Sequence, residues 1–382
     1  MDETTRQRIE MLRFLLIVGL VFLHYGNFPS SDLSPFRGFQ TTGHPVATFV
    51  NASVLFFFLS AVPLLSMISG YLFFKNWNRT SLVFFGHRIS ARTRSIFLPM
   101  FAWNAITLCL FVAMALVAPD LKARGIVSYD IASLDATATI NALVGVTRHP
   151  LNFHFWFLRD LFLTVLLSPL LGLALRHAPV FGAVALGAAW FVDFTFGIFF
   201  RTDVLFFFYL GGLLRLANWN IGFDAPRLAL ASMALYMLLV GLRTIGPWYI
   251  PEDGDLGIAL FEYGTRLMRL LGVVAVWTTA PFVLNTRFGR AAAGLGSVAF
   301  FLYAMHWPLN QFIKRGLTVI APGQDDVTML TNYLAASLLT IAVTVVAARL
   351  LDASAPRLFD FLSGGRSGIV GVRRPAERPV TE

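Results

Sequence analysis

Two side chains in the first apolar stretch have types and a spacing that could support chemistry. The stretch RIEMLRFLLIVGLVFLHYG, residues 8–26, is hydrophobic enough for a membrane span, yet it contains Arg13 and His24. At 100° per residue, their separation brings both side chains to within about 20° of one helical face, about 16 Å apart along the axis. An arginine can bind phosphate groups, and a histidine can act as a base or a nucleophile.

Each of these residues also has a simpler interpretation when taken alone. Arg13 could anchor the helix at the membrane interface, and His24 could form a hydrogen bond with a neighbouring helix. An ionisable side chain within a span is costly unless it faces protein or water, so the shared face favours a joint site. We therefore predict that Arg13 and His24 open into one cavity that reaches the cytosol, with Arg13 at the cytoplasmic boundary.

The composition indicates an integral membrane protein. Of the 382 residues, 57% are hydrophobic and 13% are charged, and the mean hydropathy is +0.68. The net charge of +9 comes from basic residues in short connections, which membrane orientation explains better than nucleic-acid binding. The single cysteine, Cys109, excludes an internal disulfide and a thiolate zinc site, and we expect no metal.

Hydropathy predicts an all-α bundle of about ten transmembrane helices, which form one domain over residues 1–362. The odd-even distribution of Lys and Arg predicts that both termini are cytoplasmic, and residues 363–382 read as a flexible basic cytoplasmic tail. The predicted spans are 12–28, 46–74, 95–118, 153–175, 178–196, 203–217, 226–243, 267–285, 295–313 and 329–350.

The connection after the second span holds a cluster of arginines. Arg88 and Arg92 are four residues apart and share a face if the connection is helical, whereas Arg94 points away. Such a cluster could fix topology and contact lipid headgroups, or it could bind a phosphorylated ligand.

Further polar candidates lie in the fourth and ninth spans. Trp156 and Asp160 share a helical face, with Arg159 close to it and His154 on roughly the other side. Arg159 and Asp160 could equally form structural ion pairs, and Trp156 could be an interfacial tryptophan. In the ninth span Pro308 follows His306 by two residues, which predicts that the helix loosens near this histidine.

Taken together, these segments resemble the acyltransferase 3 family of bacterial multi-pass membrane enzymes. The resemblance rests on the Arg13 to His24 spacing, ISGYLFF at 68–74, HRISARTRSIFLPMFAW at 87–103, FHFWFLRDLF at 153–162 and FLYAMHWPL at 301–309. The motifs follow the family's order over nearly the whole membrane region. The family's basic pair is often spaced Arg-x-x-Arg, so which of Arg88, Arg92 and Arg94 takes that role stays open.

The resemblance implies an O-acyltransferase of the bacterial cytoplasmic membrane. It would transfer an acyl group, most often acetyl, from cytoplasmic acyl-CoA to a hydroxyl of a carbohydrate or glycolipid, with no tightly bound cofactor. His24 would be the base or a transient acyl carrier. The CoA phosphates would bind four arginines, namely Arg13 of the first span and Arg88, Arg92 and Arg94 of the cluster. Five further residues would support the site: His154, Trp156, Arg159, Asp160 and His306.

Two other classes of function remain open from the residues alone. A transporter of a sugar, glycolipid or acyl intermediate would also hold ionisable groups within the membrane. A scaffold without chemistry would gain nothing from the alignment of Arg13 with His24. The sequence contains no Walker loop, GxSxG or HExxH motif, so ATP-driven pumping and serine-hydrolase chemistry lack support.

Overall fold

A computed structural model of the chain describes an assembly of helices. The described residues are 2–28, 34–40, 44–77, 83–117, 126, 128–219, 221–222, 224–250 and 254–365. No residue in these ranges lies in a β-strand, which confirms the all-α class. Nearly all of the predicted tail lies outside the described residues, so its flexibility stays a prediction.

Seventeen α-helices are present in the described part of the chain. In chain order they are α1 Glu3–Leu23, α2 Pro45–Phe58, α3 Ala61–Phe73, α4 Val83–Arg92, α5 Leu98–Val117, α6 Ala136–Val144, α7 Trp156–Leu166, α8 Ser168–His177, α9 Pro179–Phe191, α10 Asp203–Leu216, α11 Pro226–Tyr249, α12 Asp255–Ile258, α13 Gly264–Leu284, α14 Arg287–Gly294, α15 Ala299–Ile320, α16 Asp326–Ser354 and α17 Pro356–Leu362.

Each predicted span coincides with a helix or with consecutive helices. By length and composition, five helices among the described residues can cross a membrane, or up to seven if two bent helix pairs each count as one span. The chain is therefore a multi-pass membrane protein, and the number ten stays a prediction. Helix α1 is 21 residues long, but its first half is too charged for this test because it contains Arg6, Arg8, Glu10 and Arg13.

A very close helix crossing joins α3 to α10. A Cβ atom at Gly70 would lie 1.9 Å from the carbonyl oxygen of Phe208, and one at Gly211 would lie 2.0 Å from that of Met67. Both distances are far below van der Waals contact. Small residues allow such backbone approach in membranes, where tight packing replaces the hydrophobic effect between helices.

Several helices are broken where the site is built. Helices α7 and α8 meet at an angle of 59°, next to Pro169, and α14 meets the segment that contains α15 at 45°. A π-helical segment, Thr93–Phe97, joins α4 to α5. Within α15, Trp307 has φ −102° and ψ 130°, which confirms that the helix loosens directly after His306.

The N-terminal half of α1 and the described C-terminal end of the chain lie toward one face of the bundle. Arg13, midway along α1, and Arg92, at the end of α4, line the same small cavity. Gly364, near the last described residue, packs against the carbonyl of Ser95 in the π-helical segment that follows Arg92. We call this the N-terminal face and the other the opposite face. Their assignment to the cytoplasm and the exterior stays a prediction.

We predict that Gly70→Ala and Gly211→Ala each destabilise the bundle, because the added methyl group collides with a backbone carbonyl on the facing helix. The expected loss is about 1–3 kcal/mol each. Thermal unfolding of the detergent-solubilised protein measures it. Gly241→Ala in α11 is the matched control, since a Cβ there meets nothing within 4 Å. Equal unfolding temperatures for all three variants would contradict the tight crossing.

Candidate active site

His24 ends helix α1, and side chains from α15 hold it in place. Its backbone N–H still donates to the carbonyl of Leu20 at 2.9 Å, but its φ of −82° and ψ of 3° leave the helical region. The last carbonyl groups of a helix lack N–H partners within that helix. Asn310 donates to the carbonyl of Val21 at 3.0 Å, and Gln311 donates to that of His24 at 3.3 Å.

Lys314 adds a positive charge to this helix end. Its ammonium donates to the carbonyl of Tyr25 at 3.0 Å and to that of Asn27, and it lies 4.4 Å from the centre of the Tyr25 ring. A cation at the C-terminus of a helix also opposes the negative end of the helix dipole. The end of α1, and with it the His24 side chain, is thus fixed by three side chains of one neighbouring helix.

His24 forms a hydrogen bond with a second histidine. Its Nδ1 lies 2.8 Å from Nε2 of His306, and the two rings are stacked 5.1 Å apart at 14°. On the far side, Nδ1 of His306 lies 2.7 Å from the carbonyl oxygen of Tyr303 and 3.2 Å from that of Leu302. A carbonyl oxygen can only accept, so Nδ1 of His306 carries the hydrogen.

This chain of hydrogen bonds fixes the tautomer of both neutral rings. With its hydrogen on Nδ1, His306 can only accept at Nε2, so His24 must donate from its own Nδ1. The lone pair of His24 then lies on Nε2, which has no hydrogen-bond partner among the described residues. His24 also lines a large cavity. The arrangement leaves one basic nitrogen oriented by a second imidazole, as a catalytic base requires.

A third histidine, His154, packs against this pair. Its ring centre lies 4.5 Å from that of His306 and 5.9 Å from that of His24. It is fully buried, and neither ring nitrogen has a hydrogen-bond partner within the described ranges. The hydroxyl of Tyr303 donates to the backbone carbonyl of His154. No group of described residues has the make-up of a metal site.

The backbone at His154 differs from the α-helix that the helical wheel assumed. The sequence placed it roughly opposite the face of Trp156 and Asp160, assuming that the α-helix extends through residue 154. In the structure Phe153–Phe155 is a 3-10 helix and α7 begins at Trp156. From this 3-10 segment His154 contacts the other two histidines.

The cavity at His24 has a volume of about 650 Å³. Trp156, His149 and Lys314 line its wall, together with Arg201 and Asp203 from the segment that starts α10. Trp156 and Asp203 begin helices, and His149 and Arg201 lie in connecting segments, on the opposite face of the bundle. The cavity is therefore large enough for a small ligand, and His24 is part of its lining.

Arg13 lines a different cavity, so the predicted shared cavity is wrong in this structure. Arg13 and Arg92 line a small cavity of about 60 Å³, whereas His24 lines the large one. Phe157 and Tyr303 line both cavities, and both side chains are buried. These two aromatic residues lie between the cavities, and we call them the aromatic wall. The wheel placed Arg13 and His24 on one side of α1, but it could not show what other helices insert between them.

The arginines of the N-terminal face differ in their contacts and in their exposure. Arg13 forms an ion pair with Glu10 at 2.8 Å, while Arg88 donates to the carbonyl of Lys75 at 2.9 Å. Arg92 is half-buried with Arg13 and Arg88 as its charged neighbours, and among the described residues it makes no ion pair. Arg94 is exposed and does not line the small cavity. Arg13 and Arg92 are thus the pair that the structure brings together.

Arg159 and Asp160 bond mainly to each other and to backbone. Their side chains pair at 2.7 Å, and Arg159 also donates to the carbonyls of Gly145 and Val146. Asp160 is fully buried and accepts from the backbone N–H of Phe200 and, at 2.9 Å, from that of Arg201. The pair therefore ties two connecting segments to α7. This geometry favours the structural interpretation that the sequence left open.

Several residues of the site escape sequence reasoning. Arg201 lies over the ring of Trp156 at 5.3 Å and pairs with Asp203 at 2.7 Å. Asp203 also pairs with Arg269 at 3.1 Å. The segment NQFIK, residues 310–314, places polar side chains within an apolar stretch. This pattern was a signal for the residues that hold the end of α1. The charged groups around Asp203 come from separate spans, and no local pattern connects them.

Comparison with known proteins gives the family. The acyltransferase 3 family, described as an acyltransferase domain, matches residues 6–349. The chain is also similar to the succinoglycan biosynthesis protein ExoH of Rhizobium meliloti (strain 1021), with 28% identity over 389 residues, which covers 99% of this chain and 96% of that protein. No solved structure matches. The matched region includes every site residue named above, and the chain belongs to the acyltransferase 3 family.

Proposed function

We propose that the protein is a membrane O-acyltransferase in which His24 is the general base. Family membership supports acyl transfer. The observation that carries the role of His24 is its hydrogen bond to His306, which leaves Nε2 free on a residue that lines the large cavity. A carbohydrate hydroxyl binds in that cavity, and its oxygen attacks the carbonyl carbon of the acyl thioester.

The reaction balances with groups that the site and the donor supply. The hydroxyl proton passes to Nε2 of His24 as the new C–O bond forms. The positive charge on His24 is stabilised by Nε2 of His306, which accepts the hydrogen bond from Nδ1. The C–S bond then breaks, and the proton leaves His24 for the thiolate, so the products are the acyl ester and CoA thiol.

We propose that the donor binds at the N-terminal face, which we assign to the cytoplasm. Arg13 and Arg92 hold the phosphates of acyl-CoA, since guanidinium groups bind phosphate oxygens through paired hydrogen bonds. Arg88 and Arg94 attract the phosphates from the rim. The thioester arm then passes the aromatic wall to reach His24. Acetyl is the acyl group that the family resemblance favours.

The acceptor is proposed to be a polysaccharide or its lipid-linked precursor, approaching from the opposite face. Support comes from the relative whose name places it in succinoglycan biosynthesis and from the opening of the large cavity on that face. We place the protein in the bacterial cytoplasmic membrane, where cytoplasmic acyl-CoA and exported glycans are both within reach.

We predict that His24→Ala lowers acyl transfer by at least about 10²-fold, because general-base catalysis commonly contributes 10²–10⁴-fold. Release of CoA thiol by membranes that contain the variant measures it, with membrane content checked by immunoblot. His177→Ala removes an exposed histidine at the end of α8 and should leave transfer unchanged. Substantial transfer by His24→Ala would remove this residue from the centre of the mechanism.

We propose that His306 positions His24. Two replacements should distinguish its role as a hydrogen-bond acceptor from the space that its side chain fills. In His306→Gln the amide oxygen can accept from Nδ1 of His24, whereas His306→Leu cannot accept a hydrogen bond. We expect kcat to fall at least about tenfold further in the leucine variant than in the glutamine variant. The KM for acyl-CoA should change little in either. Equal kcat values for both variants would exclude the proposed hydrogen bond.

Arg13→Ala should mainly weaken donor binding. The expected effect is a rise of about tenfold in the KM for acyl-CoA, diminishing as the salt concentration increases, with a smaller change in kcat. Arg6→Ala is the control on the same helix, because Arg6 is exposed and pairs with Glu3. Steady-state kinetics at two ionic strengths provide the test. An unchanged KM in Arg13→Ala would reject the phosphate assignment.

A further inference from the structure

A further cavity, with a volume of about 440 Å³, lies beside the crossing of α3 and α10. Helices α3, α10, α11 and α13 supply most of its lining, and no described residue lines both this cavity and the one at His24. Nearly all of the atoms that face it are carbon, and its aromatic side chains are Tyr71, Phe207, Trp219 and Trp277. Such a lining offers hardly any hydrogen bond to a sugar or a nucleotide, so it fits a hydrocarbon chain. We call this cavity the apolar groove.

The apolar groove opens toward the surrounding lipid. Val274 of α13 and Leu228 of α11 line it, yet these residues are 42% and 45% exposed. Both helices belong to segments that are long and apolar enough to cross a membrane. Exposed apolar side chains on such segments contact lipid chains, because water is absent from the hydrocarbon core. Trp219, which also lines the groove, is exposed in the connection after α10, and tryptophan is common at membrane interfaces. A lipid chain can therefore enter the groove from the side.

The length of the apolar groove matches one leaflet of a membrane. Its lining on α13 extends from Leu270 to Thr278, which is about 12 Å of helix. One leaflet contributes about 15 Å, which is half of the roughly 30 Å hydrocarbon core. The groove ends near the N-terminal face, since Ile9 lies in the first half of α1 and Tyr71 lies in the last turn of α3. The groove therefore spans the leaflet at that face.

A cation lies beside the end of the groove at this face. Arg215, in the last turn of α10, donates to the hydroxyl of Tyr71 at 3.1 Å and lies 5.2 Å from the centre of its ring. Arg215 is half-buried and pairs with no carboxylate in the described part of the chain. Arg8, which lies 5.4 Å from the ring centre of Trp277, is instead paired with Asp224 at 3.1 Å. A guanidinium has five N–H donors, so Arg215 can also bind a phosphate oxygen.

We propose that the apolar groove holds one acyl chain of a phospholipid and that Arg215 binds the phosphate of its headgroup. A membrane surrounds the groove with such molecules, and their phosphate complements the guanidinium charge. No described residue lines both this groove and the cavity of Arg13 and Arg92, so the lipid is distinct from the proposed donor. Met67 and Leu210 line the groove from the two helices of the α3–α10 crossing, which a bound chain therefore stabilises. The inference does not depend on acyl transfer.

Native mass spectrometry of the full-length protein in detergent tests this inference. Palmitoyl-oleoyl phosphatidylglycerol is the added phospholipid, and polyprenyl phosphate is the competing lipid. Leu228→Trp fills the groove from its lipid side. Leu230→Trp is the matched control, because Leu230 is 75% exposed on the same helix and does not line the groove. Arg215→Gln removes the charge but keeps a donor for Tyr71. Its control is Arg287→Gln, which replaces an exposed arginine at the start of α14.

We expect the wild type to retain one phospholipid through purification. Leu228→Trp should raise the Kd for phosphatidylglycerol at least about tenfold, because the indole occupies the space of the chain. Arg215→Gln should raise it about three- to tenfold, and this effect should diminish as the salt concentration increases. Leu230→Trp and Arg287→Gln should bind the lipid as the wild type does.

Thermal unfolding without added lipid checks that each variant is folded. If Leu228→Trp fails to fold, the comparison of Arg215→Gln with Arg287→Gln decides alone. Three results would overturn the inference: a wild type that retains no phospholipid, tighter binding of polyprenyl phosphate than of phosphatidylglycerol, or equal Kd values for each variant and its control.

Discussion

The hydrogen bond between His24 and His306 determines how the rest of the site works. Because backbone carbonyls take the Nδ1–H of His306, only one hydrogen-bonding pattern satisfies both neutral rings, and it leaves the free lone pair on Nε2 of His24. The second imidazole can share the positive charge that forms on the first. A carboxylate in that place would keep a full negative charge within the membrane, whereas a neutral imidazole avoids this cost.

That hydrogen bond requires two helices to end or loosen at the same depth. Helix α1 leaves the helical conformation at His24, and α15 does so at Trp307, directly after His306. Polar groups freed at such breaks must find partners within the protein, because lipid offers none. Asn310, Gln311 and Lys314 supply them from the second half of α15. The same side chains that satisfy the end of α1 therefore also fix the distance between the two rings.

The sequence predicts the parts of this site that depend on one helix and not those that depend on several. The all-α class, the shared face of Trp156 and Asp160, and the loosening near His306 follow from hydropathy, helical period and proline. Trp156 and Asp160 indeed both contact Arg201. The 3-10 turn at His154 was not predicted, because the helical wheel assumed an α-helix there. The aromatic wall and the ions around Asp203 arise from contacts between distant segments, which no periodicity encodes.

In the proposed mechanism the aromatic wall meets two demands. A donor from one face and an acceptor from the other would have to reach the same nitrogen, but an open passage would also admit water to the thioester. Phe157 and Tyr303 close the space between the two cavities with buried rings. Tyr303 is also tied into the histidine cluster, because its carbonyl accepts from His306 and its hydroxyl donates to the carbonyl of His154. An incoming acyl arm that displaced the aromatic wall would thus directly affect the position of His24, the proposed base.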